Sequence, residues 1–98
     1  MYLTASRYEG VIDLKQVGQR VSDGLASLMG ELPGFVSFYC AEADDNVMMI
    51  ASVFESQGSA EESDRRAAAW ARENLGFLLP NPPQVTAGEV MATGRRVP

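Results

Sequence analysis

Apolar positions along this chain change period several times, and each change marks an element. From Tyr2 to Tyr8 the residues alternate, with Tyr2, Thr4, Ser6 and Tyr8 on one face and Leu3, Ala5 and Arg7 on the other. Period two predicts a strand. From Asp13 onward the spacing lengthens to three and four: Leu14, Val17, Val21, Leu25, Leu28 and Leu32 form one stripe, with Lys15, Gln19, Arg20 and Asp23 off it. That stripe predicts an amphipathic helix, with Asp13 as N-cap and Gln16 in the capping-box position. Gly18 and Gly24 soften it or let a neighbour approach closely.

Leu32-Pro33-Gly34-Phe35 stops the helix. Proline cannot continue it, and Gly34 permits a reversal through positive φ. Two strands follow, 35–41 and 47–54, around an Asp44-Asp45-Asn46 turn. The first is expected to place Phe35 and Tyr39 on one side and Val36, Phe38 and Cys40 on the other. The second places Val47, Met49, Ala51 and Val53 opposite Met48, Ile50 and Phe54. A hairpin with one solvated face alternates apolar with polar. This one does not, so both faces are expected to be covered. A second helix is expected from an N-cap at Ser59, with Glu62 in the capping-box position, to about Leu75, with Gly76 as its stop. Its stripe, Ala60, Ser63, Ala67, Trp70, Ala71, Asn74 and Leu78, is small and partly polar. After the stiff Pro80-Asn81-Pro82-Pro83 connection, 84–93 predicts a last strand, and 94–98 a frayed tail.

The order is βαββαβ. Right-handed crossovers return both helices to one face of a four-stranded antiparallel sheet, the ferredoxin-like α+β plan. The 98 residues suit a single domain spanning 1–98. Two helices cover only one sheet face, which makes a homodimer the expected assembly.

On these residues the chain resembles the antibiotic-biosynthesis-monooxygenase-like (ABM) group of the dimeric α/β barrel superfamily. The matching features are Leu32-Pro33-Gly34-Phe35, Val53-Phe54-Glu55, Ala60 with Ser63, Ala67 and Trp70, and Pro83-Gln84-Val85-Thr86-Ala87-Gly88-Glu89-Val90. The resemblance covers nearly the whole chain. It implies a dimer whose sheets pack into a barrel, with a pocket between sheet and helices. It also implies a range of roles, from cofactor-independent oxygenation of aromatic polyketides to haem degradation, isomerisation and proteins without a known role. The haem-degrading relatives use a histidine and a tryptophan on the second helix and an asparagine on the first strand. Here those histidine and asparagine positions fall near Asn74 and Ser6, and the chain has no histidine.

Composition narrows the chemistry further. Without histidine there is no Ser-His or Cys-His machinery, no histidine metal site and no histidine ligation of haem, so neither metal nor cofactor is expected. A net charge of −5 argues against nucleic acid and anionic membranes as partners. The central strands lack the stacking aromatics of RNA-recognition modules. No GxxxxGK[ST] or GxGxxG motif supports nucleotide binding. The first seven residues lack the basic start and apolar run of a signal peptide, and no segment is apolar enough to span a membrane. A lone Cys40, expected to be buried and inert, suits a reducing cytoplasm. Glu55, Glu61, Glu62 and Asp64 read as a solvated, dipole-compatible helix start. Tyr39 reads as core or interface.

Five residues are the pocket candidates: Ser6 and Tyr8 on the first strand, and Ser63, Trp70 and Asn74 on the second helix. Trp70 is either a stacking wall for a planar aromatic ligand or a core residue. Asn74 offers a hydrogen bond one turn on, or simply marks the helix end. No catalytic residue stands out. Two functions follow: an oxygenase holding an electron-rich phenol for direct reaction with O₂, or a non-catalytic dimer that binds a small apolar molecule or merely assembles.

Overall fold

The computed structural model describes residues 1–97; Pro98, the end of the expected tail, lies outside the described residues. Strand β1 is Tyr2–Tyr8. Helix α1 spans 14–30, β2 is Phe35–Ala43 and β3 is Val47–Phe54. Helix α2 is Gln57–Asn74, followed by a 3₁₀ turn at Gly76–Leu78 and by β4, Gln84–Glu89. The strands form one antiparallel sheet in the order β2-β3-β1-β4. This is the ferredoxin-like arrangement that the element order implies.

The core lies between the helices and one sheet face. Val17, Val21, Leu25, Met29 and Leu32 meet Met48 and Phe54 of β3 and Ala60 and Leu75 of the α2 side. Here the α1 stripe departs from expectation, because Met29 is buried and Leu28 only half-buried. Residues Val21–Leu25 form a π-helical turn. Such a turn holds more residues than an α-turn, so steps of four (17, 21, 25, 29) stay on one face where an ideal α-helix would drift to 28. The helix starts as expected: Asp13 Oδ1 accepts from the Gln16 backbone N–H at 3.2 Å.

Gly34 adopts φ +79°. Its carbonyl accepts from the Glu55 N–H at 2.8 Å, which seats the loop against the end of β3. A bulge between Phe35 and Ser37 then changes the expected faces of β2. Phe35 pairs with Phe54 and Phe38 with Ser52, so both phenylalanines point toward the helices, while Tyr39 pairs with Ala51 on the outer face. One extra residue in a strand reverses the alternation after it. The Asp45-Asn46 turn has φ near +60° at both residues, a conformation these side chains tolerate better than most.

Two boundaries also move. The N-cap of α2 is Ser56, whose Oγ accepts from the Ser59 N–H at 3.2 Å. Ser59 is therefore the third helical residue, not the cap. Glu62, expected to close a capping box with it, instead pairs with Arg65 and Arg66. The last strand ends at Glu89 rather than Thr93; one further bond, Val90 N–H to the Met1 carbonyl at 2.9 Å, follows it. Residues 91–97 form no helix or strand.

Cys40, expected to be buried, is exposed. It sits on β2, an edge strand, in an open depression beside Leu14, Lys15 and Gly18 of α1. Partial burial of the sulfur still pushes its pKa up, so the thiol is not activated. The outer sheet face carries Leu3, Tyr39 and Met49 in the open, Tyr39 at 69% exposure.

Candidate functional site

A cavity of about 140 Å³ lies between the sheet and both helices. Its α1 wall is Val21, Leu25 and Met29, and its α2 wall is Ala67, Ala68 and Ala71. Ala67 and Ala71, half-buried, face the sheet where larger residues would fill the space, and the exposed Ala68 lies at the rim, so the small-residue stripe of α2 is what leaves the chamber open. Phe38, Met48 and Ile50 complete the apolar floor.

The polar groups come from neighbouring strands and from α2. On β1, period two aims Thr4, Ser6 and Tyr8 into the chamber. Ser52 joins them from β3, where it pairs directly with Thr4. Asp64 enters from α2. With the helix beginning at Gln57, Asp64 lies two turns in, on the flank facing the sheet, not in a solvated first turn as its sequence neighbours suggest.

These groups perturb one another. Burial pushes the Asp64 carboxyl above its ordinary range; the Thr4 hydroxyl draws it partly back, and Glu61 on the same helix adds a smaller upward push. Tyr8 is also raised, by burial first and then by the charge of Asp64. Thr4 is 3% exposed, and its Oγ1 has no hydrogen-bond partner of normal geometry. Its influence on Asp64 therefore acts across a gap rather than through a well-formed bond. A buried hydroxyl left unpaired costs about 1–3 kcal/mol, which a ligand or water placed there would recover.

The five pocket candidates separate into three places. Ser6 and Tyr8 line the chamber. Ser63 is fully buried beside it, with Oγ donating to Met29 Sδ at 3.1 Å, a contact that joins α2 to α1. Trp70 and Asn74 line a different, open groove with Arg20, Asp23 and Gly24 on the helix side of the molecule. A Cβ added to Gly24 would come within 2.7 Å of Trp70 Cζ2, so the indole packs flat against the bare backbone of α1. The Asn74 amide donates to the Trp70 carbonyl at 2.9 Å, and the Asn74 carbonyl accepts from Arg20 Nη1 at 2.7 Å. Both residues are thus engaged in joining the helices. Thr4, Ser52 and Asp64 are the polar chamber residues that the sequence did not single out as pocket candidates. The period-two face of β1 contains the signal for Thr4, since it lies between Tyr2 and Ser6.

A second depression of about 310 Å³ shares Tyr8, Ala68, Ala71, Leu79 and Pro83 with the chamber and continues it beside the Pro80–Pro83 connection. Among the described residues, no group of three His, Cys, Asp or Glu is placed to hold a metal ion. No helix there is long and apolar enough to cross a membrane.

Known structures share this architecture from end to end. A monooxygenase from the gene ActVA-Orf6 of Streptomyces coelicolor, solved in complex with nanaomycin D, superposes with a TM-score of 0.72 at 19% identity, covering 99% of this chain and 91% of that one. The fold is that of the ABM-like proteins. SnoaB, a cofactor-independent oxygenase from Streptomyces nogalater, solved in a mutant form, matches with a TM-score of 0.71 at 14% identity over 94% of each chain. The NE2512 protein of Nitrosomonas europaea, of unknown function, reaches a TM-score of 0.82 at 15% identity, covering 99% of this chain and 95% of that one. No family model and no curated protein matches the sequence. At these identities the ABM-like likeness speaks for the fold, and the chemistry has to come from the chamber.

Proposed function

We propose that this ABM-like protein is a cofactor-independent monooxygenase of a small hydroxylated aromatic compound and works as a homodimer. The observation that carries the reading is the chamber itself: about 140 Å³ enclosed by mostly apolar walls, with Thr4, Ser6, Tyr8, Ser52 and Asp64 as its polar lining. The fold shared with a monooxygenase and with a cofactor-independent oxygenase supports it.

The chemistry is within reach of these side chains. An electron-rich phenol gives its hydroxyl proton to a carboxylate, and the phenolate passes one electron to O₂. The resulting radical pair joins at a ring carbon, and the peroxide takes the proton back. Loss of the ring C–H proton with cleavage of the O–O bond leaves a quinone carbonyl and one water. One O₂ is consumed, one oxygen atom stays in the product and the other leaves as water. The protein's part is to hold the ring, exclude bulk water and move protons.

The homodimer rests on the outer sheet face. Leu3, Tyr39 and Met49 are exposed there, and no helix among the described residues covers them. Burying such surface contributes about 25 cal/mol per Å². Sedimentation at micromolar concentration should show a dimer, and Tyr39→Glu should shift it toward monomer; monomer alone in the unmodified protein would refute the assembly. A cytoplasmic location is proposed with it, from the single, exposed and unpaired thiol.

Oxygen uptake tests the reaction. Electron-rich phenols that bind should drive uptake in chelator-treated protein. If phenols bind and none drives uptake, the chain is a binding protein instead.

A further inference from the structure

The polar lining of the chamber is asymmetric in charge. Among the described residues, Asp64 is the one ionisable group of full charge lining it, and no lysine or arginine lines its walls. Glu61 on the helix of Asp64 is the charged group that pushes its carboxyl further up, and Asp64 in turn raises Tyr8 on β1; among the described lining residues, the walls from α1, β2 and β3 contribute no titratable group. Beside it stands Thr4, 3% exposed, its hydroxyl without a well-formed hydrogen bond among the described residues. A carboxylate that needs a donor and a hydroxyl free to donate or accept form a receptor of definite polarity. An anionic group placed there would meet Asp64 with no compensating cation, at a large desolvation cost. A hydrocarbon would leave Thr4 unpaired. A neutral hydroxyl satisfies both, donating to the carboxylate while its oxygen accepts from Thr4.

We infer that Thr4 and Asp64 form a receptor for one neutral hydroxyl group of the ligand, which enters hydroxyl-first, with Asp64 as the base that takes the hydroxyl proton. This rests on the oxygenase reading for its chemistry, though not for its binding. The O–H bond breaks, the proton goes to an Asp64 carboxylate oxygen, and the electron pair stays on the ligand oxygen for transfer to O₂. The volume agrees: about 140 Å³ matches the roughly 150 Å³ of an apolar cavity that accommodates benzene. One ring therefore fills the chamber, and the rest of a larger ligand continues into the depression beside Pro80–Pro83.

Calorimetric titration without oxygen tests the receptor, using phenol, toluene and benzoate as probes of one size. Phenol should bind at least ten-fold more tightly than toluene, and benzoate should not bind measurably. Phenol affinity should rise with pH as Asp64 ionises through its raised pKa, because only the carboxylate is a pure acceptor. Asp64→Asn should flatten that pH profile and lower the preference for phenol several-fold. Thr4→Val, of equal shape, should also reduce the preference while leaving toluene binding intact. Equal binding of phenol and toluene, or an Asp64→Asn protein with the phenol preference and pH profile unchanged, would overturn the inference. Oxygen uptake is read separately. A receptor that passes these tests with no uptake removes the oxygenase reading alone, and uptake without a phenol preference removes the receptor alone.

Discussion

Phe54→Ala is expected to lower the free energy of unfolding by about 3–5 kcal/mol. Phe54 is fully buried and ends β3, where its ring meets Phe35 edge-to-face with centroids 6.0 Å apart. Three parts of the fold depend on it: the core against α1, the bulged start of β2 that Phe35 opens, and the pairing with Tyr2 of β1. Truncation removes the transfer energy of a ring and leaves a cavity that the paired strands cannot collapse into. A domain of this size is stable by only about 5–15 kcal/mol, so the loss is a large share of the total. Chemical denaturation should show the midpoint falling with the slope retained. A loss below about 1 kcal/mol would mean that Phe54 is not the centre of the core.

Gly34→Ala should be the next most damaging change, at about 2–4 kcal/mol. Two costs combine. The φ of +79° charges an L-residue about 1–2 kcal/mol. The new Cβ would also stand 2.8 Å from Ser59 Cβ and closer still to its hydroxyl, and such overpacking costs about 1–3 kcal/mol. Ser59 is fixed by the Ser56 cap and cannot simply swing aside. Gly18→Ala supplies the contrast. A Cβ there meets nothing within 4 Å in a helix interior, so it should stabilise by up to about 1 kcal/mol. Thermal unfolding of the two variants should move the midpoint in opposite directions; a neutral Gly34→Ala would contradict the account of this loop.

The fold was legible because its signals are local. Period two at 2–8, the turn at 44–46 and the Pro33-Gly34 stop each act over a few residues, and their order limits the topology. What the residues hid were changes of phase. The π-turn at Val21–Leu25 exchanged Leu28 for Met29, and the bulge after Phe35 moved that ring to the helix face. Both insert one residue into a regular repeat, and a repeat read with a fixed period passes over them. The chamber was half legible for a related reason. Ser6 and Tyr8 follow from strand alternation, whereas Asp64 was obscured by the shift of the N-cap from Ser59 to Ser56 and by the acidic residues around it. Trp70 drew attention as the single tryptophan, yet the bare backbone of Gly24 takes it to the contact between helices.

The proposal that the chamber is a monooxygenase site is tested most directly by the fate of labelled oxygen. Resorcinol, a one-ring electron-rich phenol, would be incubated with chelator-treated protein under isotopically labelled O₂, and the product mass recorded against a protein-free control. The account predicts a hydroxyquinone carrying one labelled oxygen atom, one O₂ consumed per product, and formation suppressed in Asp64→Asn. Resorcinol that occupies the chamber yet returns unchanged, or a product whose added oxygen is unlabelled, would contradict it.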